Sequence, residues 1–244
     1  MPQAYRYALY LAPVGAWREL GQRWLGRCAD TGASLPHPAG TDARQETWTR
    51  APRRYGLHAT LKPPFRLRPG TDAAGLDQAV RALATGYDAF GIPLRREPLR
   101  GFLAWCIDDP RALRRMNALA DTAVARLDGF RAPASAAELA RRAPQSLSPP
   151  QRRMLERWGY PYVFDTYTFH ITLTGQLDAS DLAAADSRLE ALGSPALRAP
   201  MPVHAVSLYV EPQAGADFIV ARHYGFDGTC RDGAGARYLA GGAS

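Results

Sequence analysis

Lysine is almost missing from this chain: of its thirty basic residues among 244, Lys62 is the only lysine and the others are arginine. Cysteine is nearly as scarce. Cys28, Cys106 and Cys230 are odd in number, widely spaced and without a C-x-x-C pair, so neither a disulfide framework nor the common zinc and redox motifs apply, and ordinary thiols are expected. No run approaches the roughly eighteen apolar residues of a membrane span. Met1 to Pro13 also lacks the basic-then-apolar order of a signal peptide, so a cytoplasmic protein with no membrane partner is expected. Neither a G-x-x-x-x-G-K-[ST] loop nor a G-x-S-x-G elbow is present, which argues against nucleoside triphosphate hydrolysis by that loop and against a hydrolase of the nucleophile-elbow type.

What is present is ordinary globular material. Hydrophobic residues make up 46% and charged residues 22%, far from a disordered composition. The length suffices for a single domain of two lobes sharing one interface, residues 1–244. The formal charge of +7 favours anionic partners, with phosphorylated small molecules and RNA both fitting. The oligomeric state stays open, a monomer included.

The periodicities sort into alternating strands and helices. Tyr5 to Leu11 alternates as a strand ended by Pro13. Trp17, Leu20, Trp24, Leu25 and Cys28 follow at helical spacing, stopping before Gly32, and residues 33–47 read as a loop holding an exposed His37. A strand from about 55 to 67, a helix over 72–84 and extended segments at 94–99 and 101–107 come next. Asp109-Pro110 then caps a helix that ends at Gly129. From about 130 to 160 the pattern changes to short, basic helical pieces broken by Pro133, Pro144, Pro149 and Pro150, with capping-box spacing at Ser135 and Glu138, and reads as an insertion. A strand over 167–174, a helix over 178–192 and strands at 203–210 and 217–224, paired as a hairpin, complete the second half.

Two of these strands carry the same short motif: His58-Ala59-Thr60-Leu61 and His170-Ile171-Thr172-Leu173. Residue parity divides each strand into two faces. Leu57, Ala59 and Leu61 share one face and His58, Thr60 and Lys62 the other. In the second copy Phe169, Ile171 and Leu173 oppose Thr168, His170, Thr172 and Thr174. A lone strand histidine is usually structural, with roughly one chance in five of being catalytic; duplication of histidine, threonine and leucine at matching positions changes those odds. His204, with Val206, Leu208 and Val210 on its own face, serves as a structural control. His223, between Arg222 and Tyr224, is ambiguous. The duplicated unit predicts an α+β fold of two pseudo-twofold lobes, with two antiparallel sheets, helices packed outside and His58 facing His170 across a central cleft.

In these residues the chain resembles the two-histidine phosphoesterase superfamily, whose members carry two H-x-[ST]-x motifs on opposed strands of a bilobal α+β fold. The segments RYALYLAP, RRYGLHATLKPPF and ERWGYPYVFDTYTFHITLTG are similar to one branch, proteins associated with phosphonate metabolism operons. The resemblance runs from the first strand to about Gly193. It implies hydrolysis of phosphodiesters, often cyclic, or related RNA end chemistry, and for the branch a phosphorylated sugar or similar product of carbon–phosphorus bond breakdown.

The chemistry fits such a pair. Cyclic phosphodiester hydrolysis needs one group to take a proton from water and another to protonate the departing alkoxide, and two opposed imidazoles suit both tasks near neutrality. His58 and His170 are therefore the expected catalytic residues, with Thr60 and Thr172 donating to non-bridging phosphate oxygens and Lys62 adding a cationic contact. Arg53-Arg54 or the arginines between 141 and 157 are candidates for a further phosphate, and Arg54, Tyr55, Tyr162 and Tyr167 are candidate substrate contacts. Neither motif has an adjacent acidic ligand, so no metal and no cofactor are expected. The expected partner is a small sugar or nucleotide cyclic phosphate; an RNA-end-processing or RNA-binding role in the same basic cleft is the alternative.

Overall fold

The computed structural model describes residues 3–40, 43–135, 138–139 and 147–239. The chain is a mixed α+β protein with two antiparallel sheets and six α-helices among the described residues. The large sheet has eight strands in the order β10-β9-β8-β1-β2-β6-β5-β4, and a small one pairs β3 with β7.

The order encodes the duplication. The first half runs β1 (Arg6–Leu11), α1 (Gly15–Leu25), α2 (Gln45–Arg53), β2 (Ala59–Phe65), α3 (Ala73–Ala84), β3 (Phe90–Ile92) and β4 (Leu94–Leu99). The second runs β5 (Phe102–Ile107), α4 (Pro110–Arg126), α5 (Pro149–Trp158), β6 (Ile171–Thr172), α6 (Ala179–Ala191), β7 (Met201–Val203) and β8 (Ala205–Glu211). Each half lends its last strand to the other, β4 pairing with β5 and β8 with β1, while β3 and β7 pair with each other. The two halves are thereby interlocked. β9 (Ile219–Gly225) and β10 (Cys230–Asp232) extend the β8 edge and have no counterpart in the first half.

One face of the large sheet is dry. Leu9, Leu11, Ala59, Leu103, Trp105, Ile171, Leu173, Val206, Leu208 and Val210 are buried in one cluster with Trp17 and Trp24 of α1, Leu76, Val80 and Leu83 of α3, Met116, Leu119 and Ala123 of α4 and Leu189 of α6. Asp72, Asp109 and Asp178 cap α3, α4 and α6 by accepting from the backbone N–H three residues on, which fixes where those helices begin. The other face carries a small cluster around Ala8, Tyr10, Tyr209, Phe218 and Val220 and leaves room for cavities.

Several elements depart from the sequence expectation. α1 ends earlier, at Gly26, whose φ of 72° makes it the left-handed cap. α2 begins inside the segment expected as loop, residues 33–47, and runs on through residues for which the sequence predicts no element, and His37 is not exposed: its Nδ1 lies 3.1 Å from the Trp24 carbonyl. Ser135 and Glu138 do form a reciprocal cap, and Ser148 with Gln151 forms a second. Arg141, Arg142 and Pro144 lie outside the described residues. α2 stands immediately before motif strand β2, and α5 occupies the corresponding place before β6.

The parity expected for Lys62 is overturned by a bulge. Tyr10 pairs with Thr60 but Leu9 pairs with Lys62, so two steps along β2 match one along β1 and Lys62 changes face; a second shift between Leu9 and Tyr7 leaves Phe65 in the core as well. Lys62 consequently shares the dry face with Leu9. Its ammonium is buried, donates to the Val124 carbonyl at 3.0 Å and pairs with Asp128 at 3.3 Å. Burial, opposed by Asp128, pulls its pKa down to about 8. Lys62→Ala should therefore lower unfolding stability by about 1–3 kcal/mol, read by urea denaturation. Lys62→Met should cost less, since Asp128 keeps Arg131. A loss of activity without loss of stability in Lys62→Met would contradict this structural role.

Candidate functional site

The two motifs meet where β2 and β6 pair. Ala59 stands opposite Ile171, and in an antiparallel ladder one step forward on one strand is one step back on the other. His58 is therefore level with Thr172, and Thr60 with His170. All four belong to the parity opposite Ala59 and Ile171, so they emerge together on the face away from the core. The local pseudo-twofold axis runs through this single residue pair.

Each imidazole is held in the same way. The Nδ1 of His58 lies 2.8 Å from the carbonyl oxygen of Gly56, and the Nδ1 of His170 lies 2.8 Å from that of Thr168. A carbonyl only accepts, so both Nδ1 atoms carry hydrogen and both Nε2 atoms are left with a lone pair when the ring is neutral. Gly56 has φ 72°, and a Cβ there would stand 2.6 Å from the Ala29 side chain, so the carbonyl that orients His58 comes from a turn that favours glycine twice over. Tyr10 stacks on His58 with ring centroids 3.9 Å apart and 26° between planes, and Phe102 lies 5.7 Å from His170.

Both rings line one cavity of about 460 Å³, together with Arg6, Tyr10, Tyr55, Thr60, Phe102, Tyr160, Thr172 and Thr174. That size suits a small molecule rather than a groove for a polymer. The Thr60 and Thr172 hydroxyls have no hydrogen-bond partner among the described residues, whereas the Thr174 hydroxyl is committed, accepting from Leu103 N–H and donating to the Gly175 carbonyl. Arg6 is the one charged side chain in the lining among the described residues, and fully buried Glu211 holds it in place together with Arg54.

Burial pulls the His58 pKa down to about 4, aided by His170 and opposed by the Gly56 hydrogen bond. His170 is also lowered, by burial and by Arg100, against the Thr168 hydrogen bond. Both rings are thus neutral at pH 7.

Of the residues singled out from sequence, His58, His170, Thr60, Thr172 and Tyr55 come together in the cavity. The others do not line it. Lys62 is on the opposite face. Arg54 is spent on Glu211 at the rim, and Tyr162 packs edge-on behind Tyr160. Tyr167 acts from behind: its hydroxyl donates to the Thr60 carbonyl at 2.8 Å and steadies β2 next to the motif. Arg6, Tyr10, Phe102 and Tyr160 escaped sequence reading. For Arg6 and Tyr10 the signal existed in RYALYL, where Arg6, Ala8 and Tyr10 share the parity opposite Leu9 and Leu11.

A family described as a protein of unknown function, DUF1045, matches residues 60–219. A protein named ribose 1,5-bisphosphate phosphokinase PhnN from Laribacter hongkongensis is 38% identical over 219 residues, 89% of this chain and 51% of that protein. One of the same name from Janthinobacterium is 35% identical over 91% of this chain and 51% of its own length. The chain thus spans about half the length of the curated relatives it matches. The solved structure of Usb1 from Kluyveromyces marxianus aligns over 89% of this chain and 98% of its own, with 11% identity and a TM-score of 0.40, a likeness too low to carry any argument.

Since His58 binds its second proton less readily folded than unfolded, stability should fall as pH drops from about 6.5 toward 4, the span between its unfolded and folded pKa values. His58→Gln should remove part of that loss. Thermal unfolding of both proteins at pH 7 and pH 4.5 reads it, and an equal acid loss in the two would contradict a buried neutral His58.

Proposed function

This chain belongs to the DUF1045 family, and from that premise we propose that it is a metal-independent phosphodiesterase that opens a small, cyclic phosphate ester by general acid–base catalysis between His58 and His170. The observation that carries the reading is the matched pair of imidazoles, each with Nδ1–H fixed on a backbone carbonyl and Nε2 left for the substrate, lining one cavity.

In the proposed reaction water attacks phosphorus while the neutral imidazole takes one of its protons at Nε2. A new P–O bond forms, the ring P–O bond breaks, and the imidazolium Nε2–H passes its proton to the departing alkoxide, leaving a phosphomonoester. The proton needed at the start is supplied on binding: an anionic phosphate between two depressed imidazoles raises the affinity of one for a proton. We assign the base to His58, the more strongly depressed of the two, and the acid to His170. Thr60 and Thr172 donate to the non-bridging oxygens, where charge grows in the transition state. Tyr10 keeps the His58 ring from tilting.

The donor set supports a route without metal, because two imidazoles and hydroxyls line the cavity and no carboxylate or thiolate does so among the described residues. Arg6, anchored by Glu211, supplies a cation at the same wall, which favours a substrate with further negative charge. The names of the relatives support a phosphorylated sugar, and the motif resemblance supports a link to phosphonate metabolism. The kinase chemistry in those names is assigned to no residue here, as the chain has no G-x-x-x-x-G-K-[ST] segment. RNA is the competing ligand, on the strength of the +7 charge; it predicts RNA binding that weakens steeply with salt, whereas the small cavity predicts none.

After EDTA treatment, purified protein should still hydrolyse a member of a cyclic phosphate panel, and His58→Ala and His170→Ala should each lower kcat/KM by about 10²–10⁴. Full activity in either variant would sink the pairing. Since both rings titrate below 6.5 in the free protein, the kcat/KM bell should peak on the acid side of pH 6.5 and the kcat bell at higher pH. A kcat/KM maximum above pH 7 would rule out this pair as the titrating groups.

A further inference from the structure

A second cavity, of about 240 Å³, opens at the β8–β9–β10 edge, on the same sheet face as the first. Its walls include Arg18 of α1, His204 before β8, Ser207 of β8, His223 of β9 and Arg231 of β10. No carboxylate lines it among the described residues: the charged or chargeable groups there are two arginines, two histidines and the Cys230 thiol.

Behind this wall sits Asp30. Its Oδ2 accepts from Arg18 at 2.9 Å, and its Oδ1 accepts from Arg231 at 3.1 Å and from His223 Nε2–H at 2.6 Å. Burial alone would raise the Asp30 carboxyl, but the His223 hydrogen bond and the two guanidinium groups outweigh it and hold the pKa down at about 2. The carboxylate therefore only accepts. With Nε2–H donated to Asp30, the Nδ1 of His223 is left to pair with the Ser207 hydroxyl at 2.7 Å. Ser207, His223 and Asp30 form a continuous chain that fixes the back of the cavity, and all three are nearly inaccessible.

The arrangement has more cation than it needs for its own balance. One buried carboxylate requires one guanidinium, and two converge on it, so a net positive charge remains beside a cavity. Each guanidinium spends a single nitrogen on Asp30 and keeps further N–H donors in a fixed fork. A space of that size would hold roughly eight waters by volume, enough for a tetrahedral oxyanion and a small group attached to it.

We infer that this cavity is a second anion site, taking a phosphate-type oxyanion, free or as the head of a small monoester, between Arg18 and Arg231 with Asp30 and His223 holding the donors in place. It is independent of the reaction assigned to His58 and His170. The two sites nonetheless share a strand: Tyr10, which stacks on His58, pairs directly with Ser207 across β1 and β8.

The test is a titration of the isotopically labelled protein with sodium sulfate, inorganic phosphate and glycerol phosphate at constant ionic strength, following amide and imidazole resonances by NMR. Saturable shifts are expected at Ser207, His223 and Arg231 in wild type and equally in His58→Ala/His170→Ala. Arg231→Gln, a change at an exposed side chain, should weaken binding about tenfold, and Arg18→Gln/Arg231→Gln should abolish it. Equal affinities for phosphate and glycerol phosphate would identify the free anion as the ligand; tighter binding of the ester would identify a monoester. Absence of saturable shifts at these residues, or unchanged affinity in the double arginine variant with its fold intact, would overturn the site.

Discussion

The pairing of Ala59 with Ile171 is the constraint on which the rest of the site depends. It is a single register position between two strands from opposite halves of the chain, and it sets four side chains at once: His58 against Thr172, and His170 against Thr60. Slipping either motif strand by one residue would turn its histidine into the core and expose its Ala59 or Ile171. The interlocked halves guard against that slip. β4 lies on β5 and β8 on β1, so neither motif strand can shift without carrying a strand of the other half with it. Tyr167 ties the Thr60 backbone to the second half by one more bond, and Trp24 in α1 donates to the Leu173 carbonyl.

From that pairing the electrostatics follow. The two imidazoles emerge on the face opposite the helices, are wrapped by Tyr10, Tyr55 and Phe102, and lose solvation, which favours the neutral form. The Nδ1–H bonds to Gly56 and Thr168 partly offset this and settle the tautomer. Rings held so gain affinity for a proton only when an anion arrives, and under the proposed function this would make substrate charge part of the catalysis. The same face carries a second cationic cavity at its far edge, where the strands added beyond the duplicated unit supply His223 and Arg231.

Much of this was legible in the sequence, because the strongest signals were periodic. The two H-x-T-L copies, the face parity of their histidines and threonines, the Asp109 cap of α4, the starts of α3 and α6 and the α+β plan all follow from local pattern. What was illegible has specific causes. The bulge after Thr60 is marked only by Pro63 and Pro64, which strict alternation ignores, so Lys62 read as polar-face when it is buried with its ammonium on half-buried Asp128. α2 carries two threonines and Pro52 and buries Gln45 and Thr49, so it shows no apolar helical stripe to mark it beyond the loop read over residues 33–47. β3 and β7 are three residues each and exist only because they meet. Arg6 and Tyr10 reach the site from a neighbouring strand, and no reading of the motif strands alone would include them.

The central claim is that both Nε2 atoms address one bound phosphate while both Nδ1 atoms stay on their carbonyls. Nitrogen NMR of the histidine side chains, with and without a saturating non-hydrolysable cyclic phosphate analogue, reads this directly. The free protein should show both rings neutral and protonated at Nδ1. On binding, one ring should become imidazolium while the other keeps its Nδ1–H tautomer and shifts at Nε2, both saturating at one equivalent. A response confined to one histidine, or either ring found protonated at Nε2 alone, would contradict the account.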